Sequence, residues 1–348
     1  PEEGRIMAKE QLIFPFVRIV GQEKMKLALV LNIIDPGIGG VLIKGEKGTA
    51  KSTSVRSLPQ ILPPIKAVSG CPYHCDPTFP KRMCAECYEK YQEGKLPEAV
   101  VNPMSVVELP LSATEDRISG TLDLEHVLKS GKKKFEPGVL AQANGNLLYV
   151  DEVNLLDDHI VDLLLDSAAM GTNYVEREGV SFSHPAKFIL VGSMNPEEGS
   201  LRPQLLDRFG LSVDVEGEKD VDVRMEVISR RMEFDKDPEA YIEQYRAESE
   251  DLRQKIINAR SILKQVEIPK DVMRAIVMTA IHFGMEGHRS DITMMRAAKA
   301  YAALNGRTTV TVEDIRDTAE LVLAHRLKKK TFEEIAFDRA ELNICLGL

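Results

Sequence analysis

Val41-Leu42-Ile43-Lys44-Gly45-Glu46-Lys47-Gly48-Thr49-Ala50-Lys51-Ser52-Thr53 is the stretch that decides how the rest of this chain is read. An apolar run of strand type enters a glycine-bearing loop, and Lys-Ser-Thr opens a helix. The spacing is that of a phosphate-binding P-loop, G-x-x-x-x-G-K-[ST], except that Ala50 stands where the second glycine belongs. Backbone N–H groups from Gly48 to Ser52 can converge on one concavity, and the helix beginning near Lys51 adds the positive end of its dipole. Lys51 supplies a point charge for the β- and γ-phosphates, and the Ser52 hydroxyl can join a Mg²⁺ shell. The nucleotide cradle therefore comprises Gly45, Glu46, Lys47, Gly48, Thr49, Ala50, Lys51, Ser52 and Thr53. Ala50 is tolerable at a helical φ and unfavourable if φ must be positive.

Working outward, the second anchor is Leu147-Leu148-Tyr149-Val150-Asp151-Glu152, a buried strand that ends in two carboxylates. Asp151 is expected to hold the Mg²⁺ shell, and Glu152 to orient and deprotonate an attacking water. Acids at the C-terminal edge of a strand fit the rule that ligands bind outside those edges in open α/β sheets. A third strand, Phe188 to Val191, delivers Asn195, an amide that can position the lytic water or form an Asn-Pro turn. The sheet is expected to close with Leu211 to Val215. Upstream, Ile19 and Val20 precede a helical pattern at Met25, Leu27, Ala28, Leu31 and Ile34 and are apolar candidates to cover an adenine. Arg208 ends a short helix before Gly210, where it can reach a neighbouring subunit's nucleotide or pair with a surface acid.

The chain has 348 residues, 43% hydrophobic and 28% charged, as in a soluble globular protein of two or three domains. Its net charge of −9 disfavours a large nucleic-acid footprint. No apolar run has the length of a membrane span and no signal peptide opens the sequence, so a cytoplasmic location is expected. Four of the five cysteines, Cys71, Cys75, Cys84 and Cys87, share one Pro-rich loop with the spacing C-x₃-C-x₈-C-x₂-C. That pattern suits a structural Zn²⁺, with an iron–sulfur centre or free thiols as the alternatives and His74 as an alternative ligand.

Three regions are expected. Residues 1–230 form the nucleotide-binding α/β domain, with the cysteine loop at 70–90 and an insertion at 108–136. Ile65 to Val68 reads as its second strand, and Tyr174 to His184 as a β-hairpin around Gly179. Residues 231–265 read as a linker, dominated by a long charged helix from Glu239 to Ile262. Residues 266–348 read as a helical lid: Pro269 to Phe283, then Asp291 to Asn305 capped by Ser290, then a helix capped by Thr311 with Asp314 in the capping-box position. Arg289, at the mouth of the lid's middle helix, can reach across to a phosphate.

The ordered set Lys51/Ser52, Asp151/Glu152, Asn195, Arg208 and Arg289 resembles the AAA+ ATPases, with their Walker A and B motifs, sensor 1, arginine finger and sensor 2. The likeness is closer to the ATPase subunit of magnesium chelatase. It is carried by Phe14-Pro15-Phe16, Ile19-Val20-Gly21-Gln22-Glu23, Leu109-Pro110-Leu111 with Thr114-Glu115-Asp116-Arg117, and Phe135-Glu136-Pro137-Gly138. It continues through Asp157-Asp158-His159-Ile160-Val161-Asp162, Asn195-Pro196-Glu197-Glu198-Gly199 and Leu201 to Gly210. The resemblance implies a P-loop AAA+ core with a five-stranded parallel sheet, β-hairpin insertions at Leu111 to Lys134 and Tyr174 to His184, and a helical lid. It also implies a hexameric, ATP-driven ring that works with a second AAA+ subunit and a large porphyrin-binding catalytic subunit. That assembly inserts Mg²⁺ into protoporphyrin IX on the way to chlorophyll. The chain itself, which lacks Trp, shows no porphyrin site. Two departures stand out: Ala50, and the four-cysteine loop, which resembles a subgroup that includes ATPases associated with cobalt chelatases. The alternatives are therefore the ATPase of a cobalt chelatase in cobalamin biosynthesis and a MoxR-like protein-remodelling chaperone.

Overall fold

The computed structural model describes residues 12–122, 135–177, 180–327 and 336–348. Its strands are β1 (Val41–Gly45), β2 (Ile65–Val68), β3 (Ala99–Asn102), β4 (Val106–Glu108), β5 (Thr121–Leu122), β6 (Phe135–Glu136), β7 (Leu147–Val150), β8 (Thr172–Arg177), β9 (Val180–Pro185), β10 (Ile189–Met194) and β11 (Leu211–Val215). Five of them form a parallel sheet in the order β11-β1-β10-β7-β4. Side chains alternate between two apolar layers, as a doubly covered parallel sheet requires. Val41, Ile43, Leu147, Tyr149, Ile189 and Val191 face one layer. Leu42, Leu148, Val150 and Leu190 face the other, against Ile160, Val161 and Leu164 of the helix Asp158–Met170.

The first layer is shared with the C-terminal helices. Residues of Arg246–Ile262, Lys270–His282, Arg289–Leu304 and Val312–Leu323 join the same core as the helix Glu23–Ile34. Ala297, Ala298, Ala300, Ala302 and Ala303 are buried there, and residues so small let helix axes approach closely. The helix Val312–Leu323 carries the capping box of Thr311 and Asp314. Arg289–Leu304 starts two residues before the expected Asp291, with His288 rather than Ser290 at its N-cap.

Several expectations are corrected. Ile65–Val68 is a strand, but it lies outside the main sheet and pairs antiparallel with β3. The edge of the parallel sheet is β4 instead. The P-loop helix, which the sequence carries to about Leu58 before Pro59, ends at Arg56 and is followed by a 3₁₀ turn over Leu58–Gln60. The long helix expected from Glu239 to Ile262 is broken at Tyr245, giving Pro238–Gln244 and Arg246–Ile262. A further helix, Val221–Lys236, precedes them. The Tyr174 to His184 hairpin forms as β8–β9. Within Leu111 to Lys134, the described part is the helix Glu115–Ser119 and β5, which pairs with β6. Gly131, Lys132 to Lys134 and Gly179 lie outside the described residues. No helix of the described residues is long and apolar enough to cross a membrane.

Because β1, β7 and β10 are parallel and adjacent, their C-terminal ends meet at one edge. That edge carries the P-loop, Asp151 with Glu152, and Asn195.

Candidate active site

The cradle starts where β1 ends. A Cβ on Gly45 would collide with the Val215 carbonyl of β11, so only glycine fits this turn. Five residues on, Ala50 has φ 60° and ψ 16°, directly before the helix Lys51–Arg56. Of the two outcomes open to it, the left-handed one is realised, at a cost of roughly 1–2 kcal/mol for an L-residue. Lys51 Nζ donates to the Glu46 carbonyl at 2.8 Å and to the Gly45 carbonyl. Burial lowers its pKa, opposed by the nearby Asp151 and Glu152. Its acceptors are neutral, so a phosphate oxygen would form a stronger, charge-assisted bond.

The acids are tied to the cradle by a residue that sequence reasoning did not single out. Tyr149, fully buried, places its hydroxyl 3.0 Å from Asp151 Oδ1 and 3.1 Å from both Ser52 Oγ and Ser193 Oγ. Burial, above all, pushes its pKa up to about 12, which keeps the phenol protonated. Ser193 Oγ donates to the same Asp151 oxygen at 2.5 Å. Ser52 and Asp151 are hard oxygen donors of the kind Mg²⁺ takes, and they are the residues that would hold the ion of MgATP. The available signal was period two: Tyr149 precedes Asp151, and Ser193 precedes Asn195, by two residues on adjacent strands.

Glu152 is held at φ 52° and ψ 50°, a left-handed conformation that is rare for a side chain of this type. Its N–H donates to Ser193 Oγ at 3.3 Å. Strained backbone of this sort persists where the surroundings over-determine it, and it clusters at functional sites. Asn195 is buried; its Oδ1 accepts from Glu197 N at 3.2 Å, so it forms the Asn-Pro turn and also lines the cleft. Lys47 Nζ pairs with Glu198 at 2.5 Å across the mouth, and this contact raises the Lys47 pKa. Together, residues Lys47 to Thr53, Asp151, Glu152 and Ser193 to Asn195 enclose a cleft of about 240 Å³.

Four expected site residues lie elsewhere within one chain. Ile19 is packed into the large core and Val20 is half-buried; neither lines the cleft. Arg208 is bound by Asp162, at 2.6 Å, and Asp166 of the helix Asp158–Met170. Arg289 pairs with Asp207. The same Asp207 accepts from Arg326 Nε at 3.1 Å, and the guanidinium of Arg326 also donates to the carbonyls of Asp207, Phe209 and Gly210. Burial lowers the Arg326 pKa to about 10. This buried clamp between the lid and the base of the Arg208 helix left no mark in the sequence.

The cysteine loop brings its four sulfurs together. The Sγ atoms of Cys71, Cys75, Cys84 and Cys87 all lie within 4.8 Å of one another. A tetrahedral Zn–S₄ centre with Zn–S near ~2.3 Å has sulfurs about 3.8 Å apart, so a small contraction would complete it. Hydrogen bonding from the Cys75 and Cys84 thiols pushes the Cys71 pKa down. His74 is not part of the cluster.

Fold and cleft together define a P-loop ATPase with a helical lid. Residues 273–344 match the AAA lid domain family, and residues 124–204 match the magnesium chelatase subunit ChlI family. The magnesium-chelatase subunit ChlI homolog of Methanocaldococcus jannaschii is 56% identical over 95% of this chain and 90% of its own length. The chloroplastic magnesium-chelatase subunit ChlI of Glycine max is 53% identical over 93% of this chain and 77% of its own. A chain of the magnesium chelatase BchI–BchD complex is 49% identical, with a TM-score of 0.54, covering 92% of this chain and 98% of that one. A putative ATPase from Cytophaga hutchinsonii, 19% identical with a TM-score of 0.58, shares the fold. The chain belongs to the ChlI family of magnesium-chelatase subunits.

Proposed function

We propose that this chain is the ATP-hydrolysing motor of a magnesium chelatase, and that it drives Mg²⁺ insertion into protoporphyrin IX, the committing step towards chlorophyll. It works in the cytoplasm as a hexameric ring, with a second AAA+ subunit and a large porphyrin-binding catalytic subunit. Lys51 binds the β- and γ-phosphates, Ser52 and Asp151 hold the Mg²⁺ of MgATP, and Glu152 takes the proton of the attacking water. Asn195 positions that water, Arg208 reaches the nucleotide of the next subunit, and Arg289 meets the phosphates once released from Asp207. Ile19 and Val20 border the adenine. The cysteine centre takes one structural Zn²⁺.

The observation that carries this reading is the Tyr149 network, which joins Ser52, Asp151 and Ser193 beside Lys51 and Glu152. A second-subunit partner is supported by the likeness to a chain of the BchI–BchD complex. The test is reconstitution with the partner subunits of a magnesium chelatase and, separately, of a cobalt chelatase, measuring insertion of Mg²⁺ and of Co²⁺ with ATP. ATP-dependent Mg²⁺ insertion is expected. Insertion of Co²⁺ alone, with cobalt-chelatase partners, would move the chain to cobalamin biosynthesis. ATPase activity without insertion of either metal would favour a MoxR-like remodeller.

A further inference from the structure

The cysteine loop has almost nothing apolar of its own to fold around. Its helix, Ala85–Gln92, buries a single side chain, Cys87. Phe79, Tyr88 and Tyr91 are exposed instead. In the small core beneath the loop, the loop contributes Tyr73, Cys75, Cys84 and Cys87, while Val68 and Ala141 come from its surroundings. Cys84 N donates to Cys75 Sγ at 3.1 Å. A segment so poor in apolar burial needs a metal cross-link to be ordered.

Tyr73 ties that cross-link to the rest of the molecule. Its ring stacks on His184 of β9, with centroids 4.9 Å apart and an angle of 27°. Its carbonyl accepts from Asn144 Nδ2 at 2.5 Å, and Asn144 Oδ1 accepts from Lys187 N, just before β10. Phe182, also on β9, stacks on Phe135 of β6 at 4.0 Å. His184 is held in turn: burial keeps it neutral, Nδ1 donates to the Pro185 carbonyl, and Nε2 accepts from Asn173 of β8. The two stacked pairs meet in tilted contacts of Tyr73 with Phe182 and of Phe135 with His184, so one aromatic cluster runs from between two cysteines into both insertions of the core.

Resting on the zinc assignment made above, we propose that the Zn²⁺-bound loop is a clasp that fixes the β8–β9 hairpin on the core, with Tyr73 as the positioning residue. Metal occupancy then governs the order of the hairpin and leaves the nucleotide cleft unchanged.

Hydrogen exchange on the full chain, with and without removal of metal by a thiol-specific mercurial and a chelator, tests this. The protein as purified should hold about one zinc per chain, without the visible absorbance of an iron–sulfur cluster. Metal removal should speed exchange ~10-fold or more in both Ala85–Gln92 and β8–β9, while β1, β7 and β10 stay protected. Tyr73→Leu should keep its zinc and the protection of Ala85–Gln92 yet loosen β8–β9, and Tyr73→Phe should behave as the parent. If metal removal loosens Ala85–Gln92 but leaves the hairpin protected, the metal site stands and the clasp is wrong. A chain that binds no zinc, or that carries an iron cluster, overturns the zinc assignment and the clasp with it.

Discussion

The nucleotide cleft and the arginine edge are built on opposite plans. In the cleft, every group is set by main-chain register: Lys51, Asp151, Glu152 and Asn195 follow the ends of three adjacent parallel strands, and the buried Tyr149 joins Asp151 to Ser52 and Ser193. At the edge, Arg208 and Arg289 pair with the carboxylates of Asp162, Asp166 and Asp207, whose side chains are 44% to 62% exposed. Exposed ion pairs of this kind are worth about 1 kcal/mol or less, so a triphosphate can displace them. The cleft is assembled within one chain, whereas the two arginines stand outside its lining, paired with acids.

If the cleft is self-sufficient, the largest loss from a single change inside it comes from removing the base. Glu152→Gln should bind ATP normally and hydrolyse it roughly 10²–10⁴-fold more slowly, in nucleotide-binding and phosphate-release assays. Near-parental turnover would take Glu152 out of the chemistry. A smaller effect is expected one shell out. Tyr149→Phe removes the phenolic donor to Asp151 but keeps the ring, so the requirement for Mg²⁺ should rise ~10-fold, in line with outer-shell partners of metal ligands. An unchanged Mg²⁺ titration would make Tyr149 a packing residue only. The smallest effect concerns Ala50. Ala50→Gly should relieve the left-handed backbone, offset in part by glycine's greater freedom in the unfolded chain, and stabilise the protein by about 1 kcal/mol in denaturant unfolding. Destabilisation would mean that the methyl group packs against the cradle.

The same contrast explains what could be read from the sequence. Residues fixed by consecutive spacing were legible: the P-loop, Asp151 with Glu152, and the clustering of Cys71, Cys75, Cys84 and Cys87. Residues that depend on alignment between strands were not. Tyr149 and Ser193 meet because Tyr149 pairs with Val191, a register that no single segment encodes. The left-handed φ of Glu152 was hidden because the residue type does not signal it, whereas that of Ala50 was one of two outcomes that the missing glycine left open. Ile65–Val68 looked like any apolar strand, and only its antiparallel pairing with β3 keeps it out of the main sheet. Nor does an acid announce its partner, so Asp207 between Arg289 and Arg326 was invisible.

Mixing two inactive variants tests the division between cleft and edge most directly. Arg208→Ala and Glu152→Gln proteins should each hydrolyse ATP poorly alone, since a finger of this kind is worth roughly 10³-fold or more in rate. Rings assembled from both should regain partial activity, because some interfaces pair an intact Arg208 with an intact Glu152 of the neighbouring subunit. Mixed rings that demonstrably form and yet recover no activity would contradict the account, and would leave Arg208 as the partner of Asp162 and Asp166 alone.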